Sequence, residues 1–593
     1  MFKSIFDLKR ILCLCLALVM AFSALSGCKK TGNDPATSSD PIASSDAEIE
    51  PNDSSELEEE SVEENTESSE PDDGEEDGED YEEITNFPYT VYNANAPILN
   101  NYRGMSATVW HAYGFMKDDK TGRVYTDEMM DIEMGRLQRM GVKTCRTACK
   151  SLWIWSDKKG NWVFNSPRAT YFYDYCKALQ DRDMNVMMQV GWDIEFVCRN
   201  VVGGAQAETQ YLFGEGDSIN GEEVGFSFKG MDEKHVRMAK AARRYGYLYS
   251  ELIFSLKEKG INNIDYLSYF TEPSNRNPDG SYHVEGWGPS TEDYVFICRI
   301  IKDYLDKTGA SKWSKGMGPN AGGHNPEILH YVLMKDPDLF DIYSSHIYPT
   351  CNSYQDNTYY DTTYPLTESY INYLKEYNRY GKKEFWYDEF YANDTWQTQN
   401  RTNRNKSAWP GLQTVVSAIA SGTLGVNNII SWQAIDQLWT DTRFNGNEFV
   451  DGIHTVGMVP SLFVSDIPRG AYYMCGLFSY YNGHEGGKFY ETSYTDYYVE
   501  SGLHISAVEL EDGNWTITVV NVNPTDTTFT IKFDKAINKT LYRHKEVAAT
   551  LVPDSYAYIA DVDKVYADVE KVFCDTLPGG SMAVYTSLAK TPH

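Results

Sequence analysis

Two glutamates lie in short segments whose residue types suit proton transfer and nucleophilic attack. Glu272 lies in segment 270–273 (Phe-Thr-Glu-Pro), and Glu389 lies in segment 386–389 (Trp-Tyr-Asp-Glu). Two carboxyl groups that face each other can divide such work, because one transfers a proton while the other attacks or activates water. Asp388 competes with Glu389. Adjacent side chains of a strand point to opposite faces, so only one of these two acids is expected to face the site.

The segments before both glutamates read as strands in a chain that alternates short apolar strands with amphipathic helices. Helices are predicted at 126–141, 168–182, 234–259, 291–307, 326–334, 367–380 and 413–421. Eight strands are predicted at 106–110, 142–147, 186–190, 266–270, 315–318, 342–345, 384–387 and 428–431. Eight alternating units predict an α/β fold, a (β/α)8 TIM barrel, with the two glutamates at the carboxyl ends of strands four and seven.

After Arg469 the pattern changes to β-type alternation with Asp-Gly, Asn-Pro and Pro-Gly-Gly turns. Strands are predicted at 504–510, 515–521, 528–533 and 582–586, which favours a C-terminal all-β sandwich. Residues 86–98 are expected to add an edge strand to it. The sequence therefore predicts a barrel domain at 86–470 and a sandwich domain at 471–593.

The first 28 residues resemble a bacterial lipoprotein signal. Lys3, Lys9 and Arg10 precede an apolar run at 11–25, and residues 25–28 (Leu-Ser-Gly-Cys) resemble a lipobox whose Cys28 is acylated. The run is short for a membrane-spanning helix, although an uncleaved anchor is the alternative. The expected location is therefore extracellular, with attachment to the bacterial membrane through lipidated Cys28.

Residues 29–85 have the composition of an unfolded acidic linker. Within 31–83 there are 23 acidic residues and no Lys or Arg, and such a polar, self-repelling stretch cannot bury a core. The net charge of −33 is thus largely that of the linker, and residues 84–593 carry −14. Because no basic stripe is present, the sequence argues against nucleic acid as a partner.

The cysteines of the folded part are interpreted as structural thiols. Cys145 and Cys149 have a CxxxC spacing, but no second pair or histidine cluster completes a zinc site. The sequence predicts neither a metal nor another cofactor.

The ordered motifs resemble glycoside hydrolase clan A, a superfamily of retaining (β/α)8 enzymes that includes families 5, 30 and 39. That clan keeps its acid/base glutamate after strand four, usually as Asn-Glu-Pro, and its nucleophile after strand seven. The resemblance covers about residues 100–590 and implies that Glu272 is the acid/base and Glu389 the nucleophile. Thr271 departs from the motif, because the clan's asparagine usually binds the sugar 2-hydroxyl.

The same resemblance implies further substrate-binding residues. Arg146 ends strand two, where members similar to family 5 place an arginine beside the nucleophile. His346 and Tyr348 match a His-x-Tyr after strand six, and Trp432 ends strand eight, where the clan often has a sugar platform. Trp192 ends strand three and can serve packing or binding. Segment 468–473 (Pro-Arg-Gly-Ala-Tyr-Tyr) resembles the exit into the sandwich of families 30 and 39.

The leading hypothesis is a retaining glycosidase that cleaves β-linked poly- or oligosaccharides by double displacement. The alternative is a surface glycan-binding lipoprotein on a degenerate barrel without turnover, which the Thr271 departure keeps open. A third class, the substrate-binding lipoprotein of an importer, needs two lobes joined by a hinge. Eight consecutive βα units with a trailing sandwich do not fit that class.

Overall fold

The computed structural model describes most of the chain from Asn86 onward. The described residues are 86–109, 125–149, 165, 167–190, 227–272, 291–322, 326–348, 350–351, 358–391, 393–394, 407–438, 449–450, 453–454, 457–493 and 502–589. All of them belong to the unit Glu82–His593. Cys28, the acidic stretch and Trp192 lie outside the described residues. Within this part of the chain, no helix combines the length and hydrophobicity that crossing a membrane requires.

Two strands, β1 (Phe87–Val91) and β2 (Leu99–Tyr102), precede the barrel. Among the described residues, eight parallel strands close into a barrel: β3 (Met105–Thr108), β4 (Thr144–Cys149), β5 (Asn185–Val190), β6 (Tyr266–Ser268), β7 (Lys315–Ala321), β8 (Ile342–Ile347), β9 (Glu384–Phe390) and β10 (Asn428–Ser431). Each strand pairs with its neighbours in chain order, and β10 pairs with β3 to close the barrel. The predicted (β/α)8 fold is confirmed, with strand ends that differ by a few residues.

A helix follows each barrel strand: α1 (Asp127–Arg139), α2 (Pro167–Gln180), α3 (Glu233–Glu258), α4 (Thr291–Thr308), α5 (Pro326–Lys335), α6 (Thr358–Glu376), α7 (Ala408–Leu424) and α8 (Gly470–Asn482). Helix α1 shows which local interactions favour helix formation. The Thr126 hydroxyl accepts a hydrogen bond from the Met129 N–H, at 3.2 Å, and acidic residues occupy the first turn, where they suit the helix dipole. Met134 and Leu137 are buried on one face of the helix.

Helix α8 lies in the stretch that the sequence analysis assigned to the sandwich. It packs against α7 so closely that a Cβ on Gly411 would lie 2.7 Å from the Ala471 Cα. Its Ser479 hydroxyl also donates to the carbonyl of Met105 in β3, at 2.6 Å. The helix therefore completes the eighth βα unit, and elements of the barrel continue to Asn482, beyond the boundary expected at residue 470.

The sandwich strands are β11 (Gly487–Tyr490), β12 (Leu503–Glu509), β13 (Trp515–Asn521), β14 (Thr527–Phe533), β15 (Lys539–Val547), β16 (Val562–Val569), β17 (Val572–Leu577) and β18 (Ser581–Thr586). One sheet has the order β2–β11–β12–β13–β18–β15–β16, and the other has the order β1–β14–β17. Ile505 and Ile517 of the first sheet and Phe529 and Ile531 of the second are buried in one apolar core. The predicted sandwich is confirmed, and both strands that precede the barrel belong to it.

The inside of the barrel is divided into an apolar layer and a polar layer. The apolar layer is a closed cluster formed by Met187, Tyr266, Met317, Ile342, Trp386 and Ile430. Arg103 covers two of its rings, with its guanidinium carbon 5.6 Å from the Trp386 centroid and 5.9 Å from that of Tyr266. Further along the strands the buried side chains are polar, and they lead to the carboxyl ends where sites form in this fold.

Candidate active site

The carboxyl ends of the barrel strands bring together most of the predicted site residues. Glu272 follows the fourth barrel strand, β6, and Glu389 lies near the end of the seventh, β9. The other side chains come from the second, sixth and eighth strands or the residues just after them: Arg146, His346, Tyr348 and Trp432. The interactions among these groups show which of them can act on a substrate.

Glu389 is buried and held from both sides by donors. Arg146 Nη1 donates to its Oε2 at 2.7 Å, and the Tyr348 hydroxyl donates to its Oε1. Burial alone would raise the pKa of Glu389, but the charges of His346 and Arg146, together with these hydrogen bonds, hold the pKa below its usual value. Glu389 therefore remains a carboxylate, which is the state that a nucleophile requires.

The donors of Glu389 are themselves positioned by neighbours. Arg146 Nε donates to Gln189 Oε1 at 2.8 Å, and the guanidinium carbon lies 5.5 Å from the centroid of the Trp432 ring. The Arg146 side chain is completely buried, so its planar group is fixed between an amide, an aromatic ring and the carboxylate. The orientation of Glu389 is thus set before any substrate binds.

Glu272 is presented by a backbone conformation that residues with a side chain rarely adopt. Its φ is +46°, in the left-handed region, and its N–H donates to the Asn320 carbonyl at 3.0 Å. Its carboxyl group lies directly against Gly322, where a Cβ would come within 2.6 Å of the carboxyl carbon and of Oε1. Such strain is retained where the surroundings enforce it, often at functional sites.

His346 joins the two glutamates. Its Nδ1 lies 2.8 Å from Glu272 Oε1 and 3.5 Å from Glu389 Oε2, and its Nε2 lies 3.8 Å from Asp388 Oδ1. Burial alone would lower the pKa of His346, but the charge of Glu389, the hydrogen bond to Glu272 and the charge of Asp388 raise it above its ordinary value. The ring therefore lies within hydrogen-bonding distance of Glu272 and close to the carboxyl groups of Asp388 and Glu389.

Asp388 and Glu389 both approach the His346 ring, one at each nitrogen. The expectation that strand alternation would turn only one of them to the site is wrong, because the pairing register with β8 shifts between Tyr387 and Glu389. Burial raises the pKa of Asp388, against the lowering effects of His346 and Arg146. A β-bulge of this kind cannot be read from the residue types.

Asn320 also belongs to the site, although sequence reasoning missed it. Its side-chain amide donates to Asp388 Oδ2 and, at 2.9 Å, to the Ser268 hydroxyl. Its backbone carbonyl accepts a hydrogen bond from the backbone N–H of Glu272. Asn320 therefore connects β6, β7 and β9 around the two acids. Gln189 was missed for the same reason, because both residues act on other side chains across strands. A polar residue at the end of an otherwise apolar strand was the available signal.

The remaining predicted contact residues differ in their surroundings. Thr271 is buried, and its hydroxyl makes no hydrogen bond with the described part of the chain. Trp432 and Tyr348 are partly exposed beside Glu389, where a ligand could reach them. Trp192 cannot be placed, because it lies outside the described residues.

The two carboxyl groups are close, and a histidine lies between them. One oxygen of Glu272, one oxygen of Glu389 and one His346 nitrogen all lie within 4.8 Å of one another. Three such donors could also hold a divalent cation such as zinc. However, Arg146 already brings its positive charge to 2.7 Å from the Glu389 oxygen, and it would repel a cation there. The arrangement therefore suits paired carboxyl chemistry better than metal binding.

Comparison with known proteins places the fold. Neither a protein-family model nor a curated protein matches the sequence. A GH30 endoxylanase from Clostridium papyrosolvens C71 superimposes with a TM-score of 0.53 at 14% identity, covering 85% of this chain and 100% of that one. A GH39 enzyme from Xanthomonas axonopodis pv. citri gives 0.53 at 11% identity, covering 86% and 99%. An endo-β1,6-glucanase gives 0.50 at 14% identity, covering 85% and 94%.

The fold is similar to that of the GH30 and GH39 structures. The solved structures extend over both the barrel and the sandwich, because each covers about 85% of the chain. In this barrel Glu272 follows strand four and Glu389 lies near the end of strand seven. At such low sequence identity the similarity shows the fold alone. What the site can do chemically is inferred from the distances and contacts described above.

Proposed function

We propose that this protein is a retaining glycoside hydrolase that cleaves β-linked poly- or oligosaccharides. The observation that carries the proposal is the short gap between Glu272 and Glu389, whose nearest oxygens lie within 4.8 Å of each other. Retaining enzymes have carboxyl groups about 5–5.5 Å apart, whereas inverting enzymes leave about 6.5–9.5 Å for a water molecule. The gap supports direct attack by a carboxylate.

In the first step Glu389 attacks the anomeric carbon and forms a glycosyl ester. The bond to the leaving sugar breaks as Glu272 gives its proton to the glycosidic oxygen. In the second step water attacks the same carbon, Glu272 takes the water proton, and the bond to Glu389 breaks. Arg146 and Tyr348 keep Glu389 ionised and oriented, while His346 orients the Glu272 carboxyl group by the 2.8 Å contact.

The substrate class follows from what the structural neighbours are called. Of those described above, one is an endoxylanase and one is an endo-β1,6-glucanase, so β-xylan and β-1,6-glucan are the first substrates to test. Thr271 replaces the asparagine that usually binds the 2-hydroxyl, and the shorter side chain leaves that contact to other groups. The preferred sugar can therefore differ from that of these neighbours.

The test is to incubate the purified chain with β-xylans, β-glucans and mannans and to follow the fresh product by proton NMR. We expect the β-anomer to appear first and to mutarotate later, because double displacement retains configuration. The Glu389→Gln chain, prepared in parallel, is the control for contaminating activity. Initial formation of the α-anomer would contradict retention. Binding without turnover on every substrate would favour the non-catalytic glycan-binding alternative.

We further propose that the protein is exported and anchored to the bacterial membrane by acylated Cys28. The apolar run at 11–25 and the Leu-Ser-Gly-Cys segment support this proposal. Cys28→Ala should move the protein from the membrane fraction to the soluble fraction or stall its processing, without changing activity per molecule. Unchanged membrane attachment of that variant would contradict the proposal.

A further inference from the structure

Nine large hydrophobic residues are exposed among the residues that the structure describes. Five of them lie on three segments that are connected by hydrogen bonds. These segments are α1, residues 462–469 and the loop 551–560, which we call together the tyrosine flank. The five residues are Ile132, Ile467, Val552, Tyr556 and Tyr558.

Hydrogen bonds hold the three segments of the tyrosine flank together. Arg136, one turn after Ile132 in α1, donates to the Asp466 carbonyl. The Tyr472 hydroxyl lies between α1 and the loop, 2.9 Å from the Arg136 carbonyl and 3.2 Å from the Ala557 carbonyl. The three segments that carry the exposed apolar residues are thus joined to one another by these hydrogen bonds.

The tyrosine flank leads toward the mouth of the barrel. Helix α1 runs opposite to the strands, so its beginning at Asp127 lies at the carboxyl face, where the two glutamates are. There the rings of Tyr125 and Phe463 are in edge contact, with centroids 6.4 Å apart. From this end, α1 continues down the side of the barrel to the loop.

The loop presents two tyrosines to the solvent. Tyr556 is 68% exposed and Tyr558 is 48% exposed, and their rings are parallel within 5° with centroids 5.9 Å apart. Ala557 between them is completely buried and adopts a left-handed φ of +59°. That conformation turns the flanking side chains outward together. Exposed aromatic rings arranged in this way are typical of interaction sites.

The loop is held rigidly from beneath. The Asp554 N–H donates to the Tyr473 hydroxyl at 2.9 Å, and the Ala557 N–H donates to Asp554 Oδ1 at 2.9 Å. At the end of the loop the Ala560 N–H donates to Glu546 at 3.0 Å. The tyrosines are therefore ordered before a partner arrives, which lowers the entropy cost of binding.

The chemistry of the loop favours a neutral, hydroxylated chain as the partner. Asp554 is the single charged residue between Glu546 and Asp561, and its Oδ1 is engaged within the loop. Nucleic acid would need basic residues, and a bilayer surface would need them beside the apolar ones. A sugar ring has an apolar C–H face that fits an aromatic ring and hydroxyl groups that can bond to the phenols.

We propose that the tyrosine flank is an auxiliary binding surface for a β-linked polysaccharide, on which Tyr556 and Tyr558 stack against sugar rings. The identity of the polysaccharide rests on the proposed function, because the surface would hold the chain that the barrel mouth cleaves. Its position on the side of the barrel would keep an extended chain near the mouth between cuts.

The test measures binding separately from turnover. The full chain with Glu389→Gln is mixed with insoluble β-xylan, β-1,6-glucan and cellulose, and the protein left in solution is measured. Addition of Tyr556→Ala and Tyr558→Ala should weaken binding to at least one of these polymers about tenfold or more, because two stacking contacts are lost. The Tyr556→Phe, Tyr558→Phe chain, which keeps both rings, should bind within about threefold of the parent.

Two controls separate this surface from general effects. Trp313→Ala removes another exposed aromatic ring, 52% exposed and outside the tyrosine flank, and should leave binding unchanged. In the chain with Glu389 intact, the two alanines should leave kcat/KM on a soluble aryl glycoside unchanged. Unaltered thermal unfolding would show that the loop remains folded.

Three outcomes would overturn the inference: equal polysaccharide binding by the alanine chain, no binding to any of the three polymers, or a loss of binding to phosphatidylglycerol vesicles instead. Failure of the proposed function gives a different pattern. In that case no substrate would be hydrolysed, while the tyrosines would still be needed for polysaccharide binding.

Discussion

Strand β9 carries one arginine–glutamate pair at each end, and the two pairs have opposite surroundings. At its start Glu384 accepts from Arg103 at 2.9 and 3.1 Å, from Asn101 at 2.6 Å and from Trp386 at 2.7 Å. Near its end Glu389 has Arg146 and Tyr348 as donors. The first glutamate is therefore surrounded by donors, while the second shares a histidine with two other acids.

The comparison shows how one strand can serve both stability and chemistry. Donors saturate Glu384, so its charge is compensated and the pair fixes the amino end of the barrel beneath the apolar layer. Around His346, Glu272, Asp388 and Glu389 lie within 4 Å, and their surroundings raise the pKa of Asp388 but lower that of Glu389. Shifts of opposite sign in neighbouring acids are typical of functional sites.

The sharpest test of the comparison is Glu389→Gln. This change removes the nucleophile, so we expect turnover of every substrate to fall by several orders of magnitude. Because it also removes the carboxylate partner of the buried Arg146, the thermal unfolding midpoint should fall. Steady-state kinetics and calorimetry check the two parts. A variant that retained activity would exclude Glu389 as the nucleophile.

Glu272→Ala should have the next largest effect. Loss of the proton donor should lower kcat about 10²–10⁴-fold on natural substrates, but much less on an aryl glycoside whose leaving group needs no proton. Azide, which needs no general base, should restore turnover and give a β-glycosyl azide of retained configuration. Rescue of the Glu389 variant instead, with an inverted product, would mean that the two roles are exchanged.

Arg146→Met should have a smaller effect on rate and a visible effect on pH dependence. Arg146 lowers the pKa of Glu389, so its loss should raise that pKa and move the acid limb of kcat/KM to higher pH. The rate at the optimum should fall about 100-fold or less through poorer positioning. Arg146→Lys, which keeps the charge, should move the acid limb less. An equal shift of the acid limb in the Met and Lys variants would exclude a charge effect.

Glu384→Gln should change stability and leave catalysis alone. It removes the same charge from the same strand, and it leaves the buried Arg103 with the largely exposed Glu485, 3.0 Å away, as its remaining carboxylate. We expect the free energy of unfolding to fall by about 3 kcal/mol, with kcat/KM of the folded protein unchanged. Denaturant titration and active-site-normalised kinetics check this. A drop in kcat/KM without loss of stability would contradict a structural role for the amino-end pair.

The order of the fold could be predicted because short strand segments alternate with helices, most of which have one buried face. Helix α8 was missed because 12 of its 13 residues are buried, so it has no polar face to mark a helical period. Helix α6 begins at Thr358, whereas the expected start was residue 367. The helix contains Pro365, and proline usually ends a helical pattern, so the residue pattern did not indicate the earlier turns. Strand β16 is largely exposed at a sheet edge and shows no alternation.

The candidate site could be predicted only where a motif fixes a residue at a strand end. Glu272, His346 and Glu389 were found in this way. Asn320 and Gln189 act through neighbouring strands, and the contact of Asp388 with His346 depends on a local register shift. Such contacts depend on how the strands are aligned in the barrel, and a short segment of sequence does not reveal that alignment.

The sandwich is built from both ends of the folded chain, and this has a consequence for synthesis. Strand β1 pairs with β14, and the Asn93 side chain donates to the Lys535 carbonyl, 442 residues further along. On the ribosome, β1 and β2 leave the exit tunnel first and keep unpaired edges until nearly the whole polypeptide has been made. The sandwich therefore cannot be completed before the barrel is synthesised, and a nascent chain stalled before β11 would expose the edges of both β1 and β2 to pairing with another molecule.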